Sequence, residues 1–300
     1  TAFVTIGIGF LPTYEKVGIY APLFLTLGKM LQSFFAAAEF IGGAIFVLEH
    51  TPQEKQSLLS SLYDSCAIGG VLLASVIVTY MSEYTHLENT WRILFWLGGI
   101  TAIIGFYLRW NNITYGNPNY SQKTSSVFSI LRFNRKQFIS IVITSGFSYA
   151  IYSLAFSLMN GYIPLVTSFS KTTMMQLNSI LLVVDMLLLP LFGGLSSKIG
   201  KEKIMMIGAI LSSICAIPLF ALLKNAPFTL IIFVRLMITI LGVSFCATYH
   251  AWTVSIVEYR YRYPVLLLAY SIGSQCIGMP TSSICPVSYT HLTLPTSDLV

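Results

Sequence analysis

The sequence predicts an all-α polytopic membrane protein. Three observations predict it. Hydrophobic residues make up 55% of the 300 and charged residues only 9%, with a mean hydropathy of +0.75; a soluble domain carries roughly 25% charge. Apolar runs recur along the chain, several of them near the length of about 20 residues that a helix needs to cross a bilayer. Finally, Lys and Arg collect in alternate connections between the runs, the asymmetry that orients membrane proteins.

The runs fall at 1–11, 22–48, 58–81, 93–108, 138–160, 174–192, 204–223, 227–256 and 264–284. The first is too short to span and reads as the end of a helix. The last, between Pro264 and Pro280, reads as a helix that stops early. The chain begins inside an apolar stretch without an initiator Met, so a fragment lacking its beginning is expected.

The connections at 49–57, 109–137, 193–203 and 257–263 hold Lys55, Arg109, Lys123, Arg132, Arg135, Lys136, Lys198, Lys201, Lys203, Arg260 and Arg262. The other connections hold Lys16, Arg92, Lys171 and Lys224, together with Glu15, Glu83 and Glu88. The first set is therefore expected to be cytoplasmic. The connection at 109–137 is long, polar and basic, as a linker between an N-terminal half (1–108) and a C-terminal half (138–285) would be. Asn112 and Asn119 head glycosylation sequons, read as chance in a cytoplasmic linker. Cytoplasmic loops account for the net charge of +6, so nucleic acid is not expected as a partner. Cys66, Cys215, Cys246, Cys276 and Cys285 show no metal or redox spacing, and no disulfide framework, metal or cofactor is expected. Residues 286–300 break the hydrophobic pattern abruptly. They resemble the translated read-through of a sequencing adapter and are expected to be non-native, the alternative being an external loop.

The run 22–48 contains Lys29, Gln32 and Glu39. A charge at the bilayer centre costs at least about 2.5–3.5 kcal/mol, so such residues face a bundle interior or a water-filled path. Gln32 and Glu39 are seven apart and nearly eclipsed on a helix, with Lys29 one turn before Gln32. Burial and a nearby cation act on a carboxylate in opposite directions. Glu39 is therefore the first candidate for taking and releasing a proton, with Lys29 as its neighbouring cation. Lys29 has an alternative role, snorkelling to the interface. Asp64 is a further candidate, or else a partner of a cytoplasmic base or a helix cap. Asp185 stands alone in ILLVVDMLLLP, either as a proton or amine site or as a structural partner of Arg235. Arg235 has a planar fork suited to a carboxylate. His250 reads as a packed or interfacial residue. The aromatics, Tyr149, Tyr152, Trp252 and Tyr270 among them, mostly read as facing lipid or neighbours, with a few available to cage a quaternary ammonium.

These residues resemble the major facilitator superfamily, in particular its metabolite:proton symporter branch, which includes proline/betaine transporters. The main match is residues 10–56. Lys29 and Gln32 stand at a Lys/Arg-x-x-Gln element, Glu39 and Phe40 at a Glu-Tyr element. Asp64 matches an Asp early in the next helix, and Trp91-Arg92 a helix-opening Trp-Arg. Gly193, Lys198, Gly200 and Lys203 match the superfamily's cytoplasmic gating loop, although Ser197 replaces its Asp and Glu202 a basic residue. Glu258, Arg262, Tyr263 and Tyr270 match a stretch near the eleventh helix. In the first half Ser33 replaces a Gly and Ala37-Ala38 a Gly pair.

The resemblance covers residues 1–285. It implies a fragment of the twelve-helix fold running from the end of helix 3 to helix 11. It implies a secondary active transporter, not an enzyme: proton-coupled symport of a small metabolite or osmolyte, a zwitterion or organic acid, by alternating access in a bacterial inner membrane, as a monomer. Lys29, Gln32, Glu39 and Asp64 would line the proton and substrate path in the first half; Asp185 and Arg235, which match no family motif, are the candidates for it in the second. A chain without helices 1, 2 and 12 is not expected to transport by itself. Two other readings stay open: a transporter-derived sensor or nonfunctional remnant, and an intramembrane transferase using His250 with Asp185 or Glu258.

Overall fold

The computed structural model describes residues 1–84, 90–112, 127–224, 226–278 and 280–281. Expectations for Glu88, Asn119, Lys123, Cys285, residues 113–126 of the linker at 109–137 and the tail at 286–300 fall outside them. The described regular elements are all helical: α1 (Ala2–Gly9), α2 (Tyr14–Val17), α3 (Tyr20–Glu49), α4 (Gln56–Tyr84), α5 (Thr90–Asn112), α6 (Val127–Phe133), α7 (Arg135–Tyr152), α8 (Met159–Val166), α9 (Lys171–Ile199), α10 (Lys201–Ala221), α11 (Phe228–Cys246), α12 (Tyr249–Ile256) and α13 (Arg262–Ile272). Wider π turns occupy Ser153–Leu158, which joins α7 to α8, and Gly273–Gly278, which extends α13.

Six helical segments among the described residues are long and apolar enough to cross a membrane: Tyr20–Glu49, Gln53–Ile77, Arg135–Val166, Thr172–Ile199, Lys201–Ala221 and Phe228–Ile256. Arg92–Tyr107 is a shorter apolar helix. In lipid every backbone polar group must be satisfied within the chain, which is why long helices are the solution.

One apolar run and one connection differ from their expected form. The run 227–256 breaks at Ala247–Thr248 between α11 and α12. The expected connection at 193–203 is helical except for Gly200, whose φ of +104° both ends α9 and admits α10. Glycine occupies that conformation without the Cβ penalty of other residues.

The chain forms two compact units. The first comprises Thr1–Phe40 and Ala74–Ser129. In it α1 lies along α5, close enough that a Cβ on Gly99 would come within 2.7 Å of the Ile6 side chain. Arg92 Nη1 donates to the carbonyls of Gly9 and Leu11, capping the end of α1.

The second unit comprises Ile41–Leu73 and the chain from Ile130 onward. Its main apolar core joins α8, α9, α10 and α11 through Met159, Ile163, Met174, Leu181, Leu219 and Ile231. The crossing of α7 with the π turn after α13 is closer still. A Cβ on Gly146 would lie 2.7 Å from Ile277 Cβ and 3.1 Å from the Gly273 carbonyl. Small residues let membrane helices approach this way, where dispersion and packing replace the hydrophobic effect.

Candidate functional site

The second unit holds an open cavity of about 610 Å³. Its lining follows from one helical stripe. Tyr149, Tyr152, Ser153, Phe156, Ser157 and Asn160 are spaced i, i+3, i+4, i+7, i+8, i+11 along α7, its π turn and α8, which puts them on one face. Asn178 and Leu182 of α9, one turn apart, and Ile68 and Val71 of α4 complete the wall. π turns inside α-helices recur at functional sites; here the turn carries Ser153, Phe156 and Ser157. The rings of Tyr152 and Phe156 stack with centroids 5.6 Å apart.

Asp185 is fully buried on α9, and Tyr152 donates to its carboxylate at 3.2 and 3.4 Å. Tyr152 therefore has its ring on the cavity wall and its hydroxyl on a buried acid. Arg235 of α11 is 1% exposed. Its Nη1 donates to Asn160 Oδ1 (3.1 Å) and the Met174 carbonyl (3.1 Å). Its Nη2 donates to Asn178 Oδ1 (2.7 Å) and the Ala155 carbonyl (3.2 Å). Of the two alternatives for Asp185, the structural pair with Arg235 does not form: the two make no ion pair with each other. Four neutral oxygens accept from its two Nη atoms instead, so the fork is taken by protein acceptors rather than presented to a solute, while the buried Nε makes no hydrogen bond among the described residues. These bonds fasten the π turn and α8 to α9 and α11.

Asp64 of α4 pairs with His250 of α12: Oδ1 lies 3.1 Å from Nε2, with side chains 15% and 5% exposed. Next to it, Ser60 Oγ accepts from the Ala251 amide at 3.3 Å. Asp64 thus pairs with a histidine of the apolar run 227–256, not with a base of a cytoplasmic connection. Arg262 Nη1 lies 3.3 Å from Glu49 Oε1, joining the start of α13 to the end of α3.

The remaining candidates lie in the first unit, on α3. Lys29 is exposed; it donates to Gln32 Oε1 (3.2 Å) and stands over the Phe95 ring at 4.7 Å. Gln32 donates to Thr5 Oγ1 (2.9 Å), and Glu39 Oε2 accepts from Thr1 Oγ1 (2.7 Å). Lys29 and Glu39 are ten residues apart on one continuous helix, a rise of about 15 Å. Lys29 is therefore not the near neighbour of Glu39 that the stripe implied.

At the α9–α10 joint, Gly193 is buried against Ser57 and Ser61 of α4. Gly200 makes the turn, and Lys198 and Lys203 are exposed on either side of it. No group of three or more metal-ligating side chains occurs among the described residues.

Sequence reasoning passed over the α7–α8 stripe and the two asparagines that meet Arg235. The spacing of Tyr149, Tyr152, Phe156 and Asn160 was available as a signal.

A bundle of apolar helices around a partly polar, aromatic-lined cavity defines a multi-pass integral membrane protein. The chain belongs to the Major Facilitator Superfamily, which it matches over residues 1–283. It is 28% identical over 314 residues to a Staphylococcus aureus (strain COL) protein named "Putative proline/betaine transporter", covering 99% of this chain and 65% of that protein. It is 25% identical over 295 residues to the "Glycine betaine/proline/ectoine/pipecolic acid transporter OusA" of Dickeya dadantii (92% of this chain, 58% of that one). The "Proline/betaine transporter" of Escherichia coli (strain K12) is also 25% identical over 295 residues (92% and 59%). The chain thus spans about 65% or less of the length of these relatives. No solved structure matches it significantly. Its apolar helices and bacterial relatives make it a protein of the bacterial inner membrane.

Proposed function

We propose that the protein is a secondary active transporter that carries a small zwitterion or organic acid together with protons. The observation that carries this reading is the cavity of about 610 Å³ within the apolar helices, with the buried Asp185 directly behind its Tyr152 wall. A carboxylate so buried, which accepts from the Tyr152 hydroxyl, is costly as a permanent charge. It suits a group that carries a charge for part of a cycle. The solutes in the relatives' names, proline, glycine betaine, ectoine and pipecolic acid, each join a cationic nitrogen to a carboxylate, which favours the zwitterion.

In this reading residues 1–108 and 138–285 belong to two halves that rock about a midplane site, with 109–137 as the linker and the Gly193–Lys203 joint on the gating side. Asp185 and Asp64 serve proton movement and Arg235 the polarity of the path. Lys29, Gln32 and Glu39 supply the polar face of the other half. The protein works as a monomer without a cofactor, and no bond is made or broken.

The test is uptake by the full-length protein in proteoliposomes with an imposed pH gradient, using labelled proline, glycine betaine and a dicarboxylate. Accumulation of one of them above its external concentration, abolished by a protonophore, is the expected result. Equilibration without accumulation would remove the proton coupling. No flux of any solute, with product formed instead, would favour an intramembrane transferase.

A further inference from the structure

The cavity has a buried charge of opposite sign behind each end. Asp185 stands behind Tyr152, and Arg235 behind Asn160 and Asn178. Neither charged group is among the lining residues; a neutral side chain stands in front of each. Asn178 and Asp185 are seven residues apart on α9, about 10 Å along the helix, so the two poles face the same wall one above the other.

The chemistry of the intermediaries fixes the direction. Arginine only donates, so both asparagines turn Oδ1 toward Arg235. The amide of Asn160 then donates to the Phe156 carbonyl at 2.7 Å. Asn178 Nδ2 is the donor turned away from the guanidinium, on a residue that lines the cavity. The fixed positive charge polarises that amide toward an anion. At the other end the stacked rings of Tyr152 and Phe156 offer π faces, which attract cations, with the Asp185 carboxylate adding to that attraction from behind.

We propose that Arg235 and Asp185 are positioning residues that orient a zwitterion along this cavity, carboxylate toward Asn178 and cationic nitrogen toward Tyr152. The inference rests on the transporter reading and deepens it. Selection is for the pair of charges: a solute with one of them meets one pole correctly and leaves the other unanswered. In a low-dielectric site, polar groups left unpaired are what reject the wrong ligand.

Three probes of nearly one shape separate the poles. Glycine betaine carries both charges, choline only the trimethylammonium, and 3,3-dimethylbutanoate only the carboxylate. Binding to the full-length protein is measured by competition and by ligand-induced thermal shift. Asn178→Leu is expected to weaken glycine betaine and 3,3-dimethylbutanoate about tenfold and leave choline unchanged, the loss of one hydrogen bond to a charged group. Asp185→Asn is expected to weaken glycine betaine and choline by a similar factor and to spare 3,3-dimethylbutanoate. Tyr152→Phe, which keeps the ring, is expected to fall between wild type and Asp185→Asn for the two cations.

A merely structural role would lower all three affinities together, and that pattern overturns the proposal. If it appears while the wild type still accumulates glycine betaine, the polarity is wrong and the transporter reading stands. A wild type that neither binds nor accumulates any probe removes both. Should Asn178→Leu fail to fold, Asn178→Asp supplies the second variant. It places a like charge before the carboxylate, and choline is then expected to overtake glycine betaine; an unchanged order overturns the proposal.

Discussion

His250 Nε2 sits 3.1 Å from Asp64 Oδ1, tying the start of α12 to α4. The break after Cys246 makes this possible, because it starts a new helix at Tyr249. Rings of Tyr63 and Tyr249 meet the imidazole edge-on, at 6.0 and 5.1 Å. The pair thus joins helices far apart in sequence inside an apolar surround.

Asp64→Asn and His250→Ala are each expected to lower stability by about 2 kcal/mol, since a hydrogen bond to a charged group contributes roughly 1.5–3 kcal/mol. In the double variant the losses should not add, because both remove one interaction. Unfolding of the four proteins in detergent measures it. Additive losses would mean that the two side chains act on separate neighbours.

The α7 crossing makes a sharper prediction through glycine. Gly146→Ala drives a Cβ to within 2.7 Å of Ile277 Cβ, and overpacking of that kind costs about 1–3 kcal/mol. Gly161→Ala, on α8, meets nothing within 4 Å and should be neutral or stabilising by about 0.4–1 kcal/mol. Comparing the two melting temperatures separates a packing effect from a general intolerance of larger residues. Equal shifts would argue against the close crossing.

Lys29 and Glu39 should behave independently. About 15 Å of helix separates them, and Lys29 is engaged by Gln32 and Phe95. Lys29→Met and Glu39→Gln are each expected to reduce proton-driven uptake. Their effects should combine additively within about 0.5 kcal/mol, as for distant sites. A larger coupling term in uptake kinetics would show that the two groups share a network after all.

The Lys/Arg asymmetry predicts that Thr124 faces the cytoplasm and His86 the outside. Single cysteines at the two positions in a cysteine-free background give the check. An impermeant maleimide added to intact cells should reach position 86 and spare 124; the opposite pattern would invert the topology.

What could be read from the chain alone follows from the cost of charge in lipid. Asp185 and Arg235 stand out in their apolar runs because lipid does not tolerate them without partners. Their partners were not legible. Tyr152 and Asn178 lie 33 and 57 residues away, and nothing in a single sequence sets that register. The α7–α8 stripe was harder to see because the apolar faces of a membrane helix erase the period that marks a soluble one. The α9–α10 joint was read as a loop since polar residues signal one; at a helix end Ser196, Ser197 and Lys198 remain helical, and only Gly200 leaves.

The solute is expected to occupy the cavity along α7 and α8, and substrate protection at Ser157 is the decisive measurement. Ser157 is exposed on the cavity wall. In a cysteine-free full-length protein, Ser157→Cys should react with a water-soluble methanethiosulfonate. Saturating glycine betaine should slow that reaction at least severalfold, while a cysteine at exposed Leu187 on α9, which is not part of the cavity wall, shows no protection. Labelling of Ser157→Cys at the same rate with and without any transported solute would place the solute elsewhere.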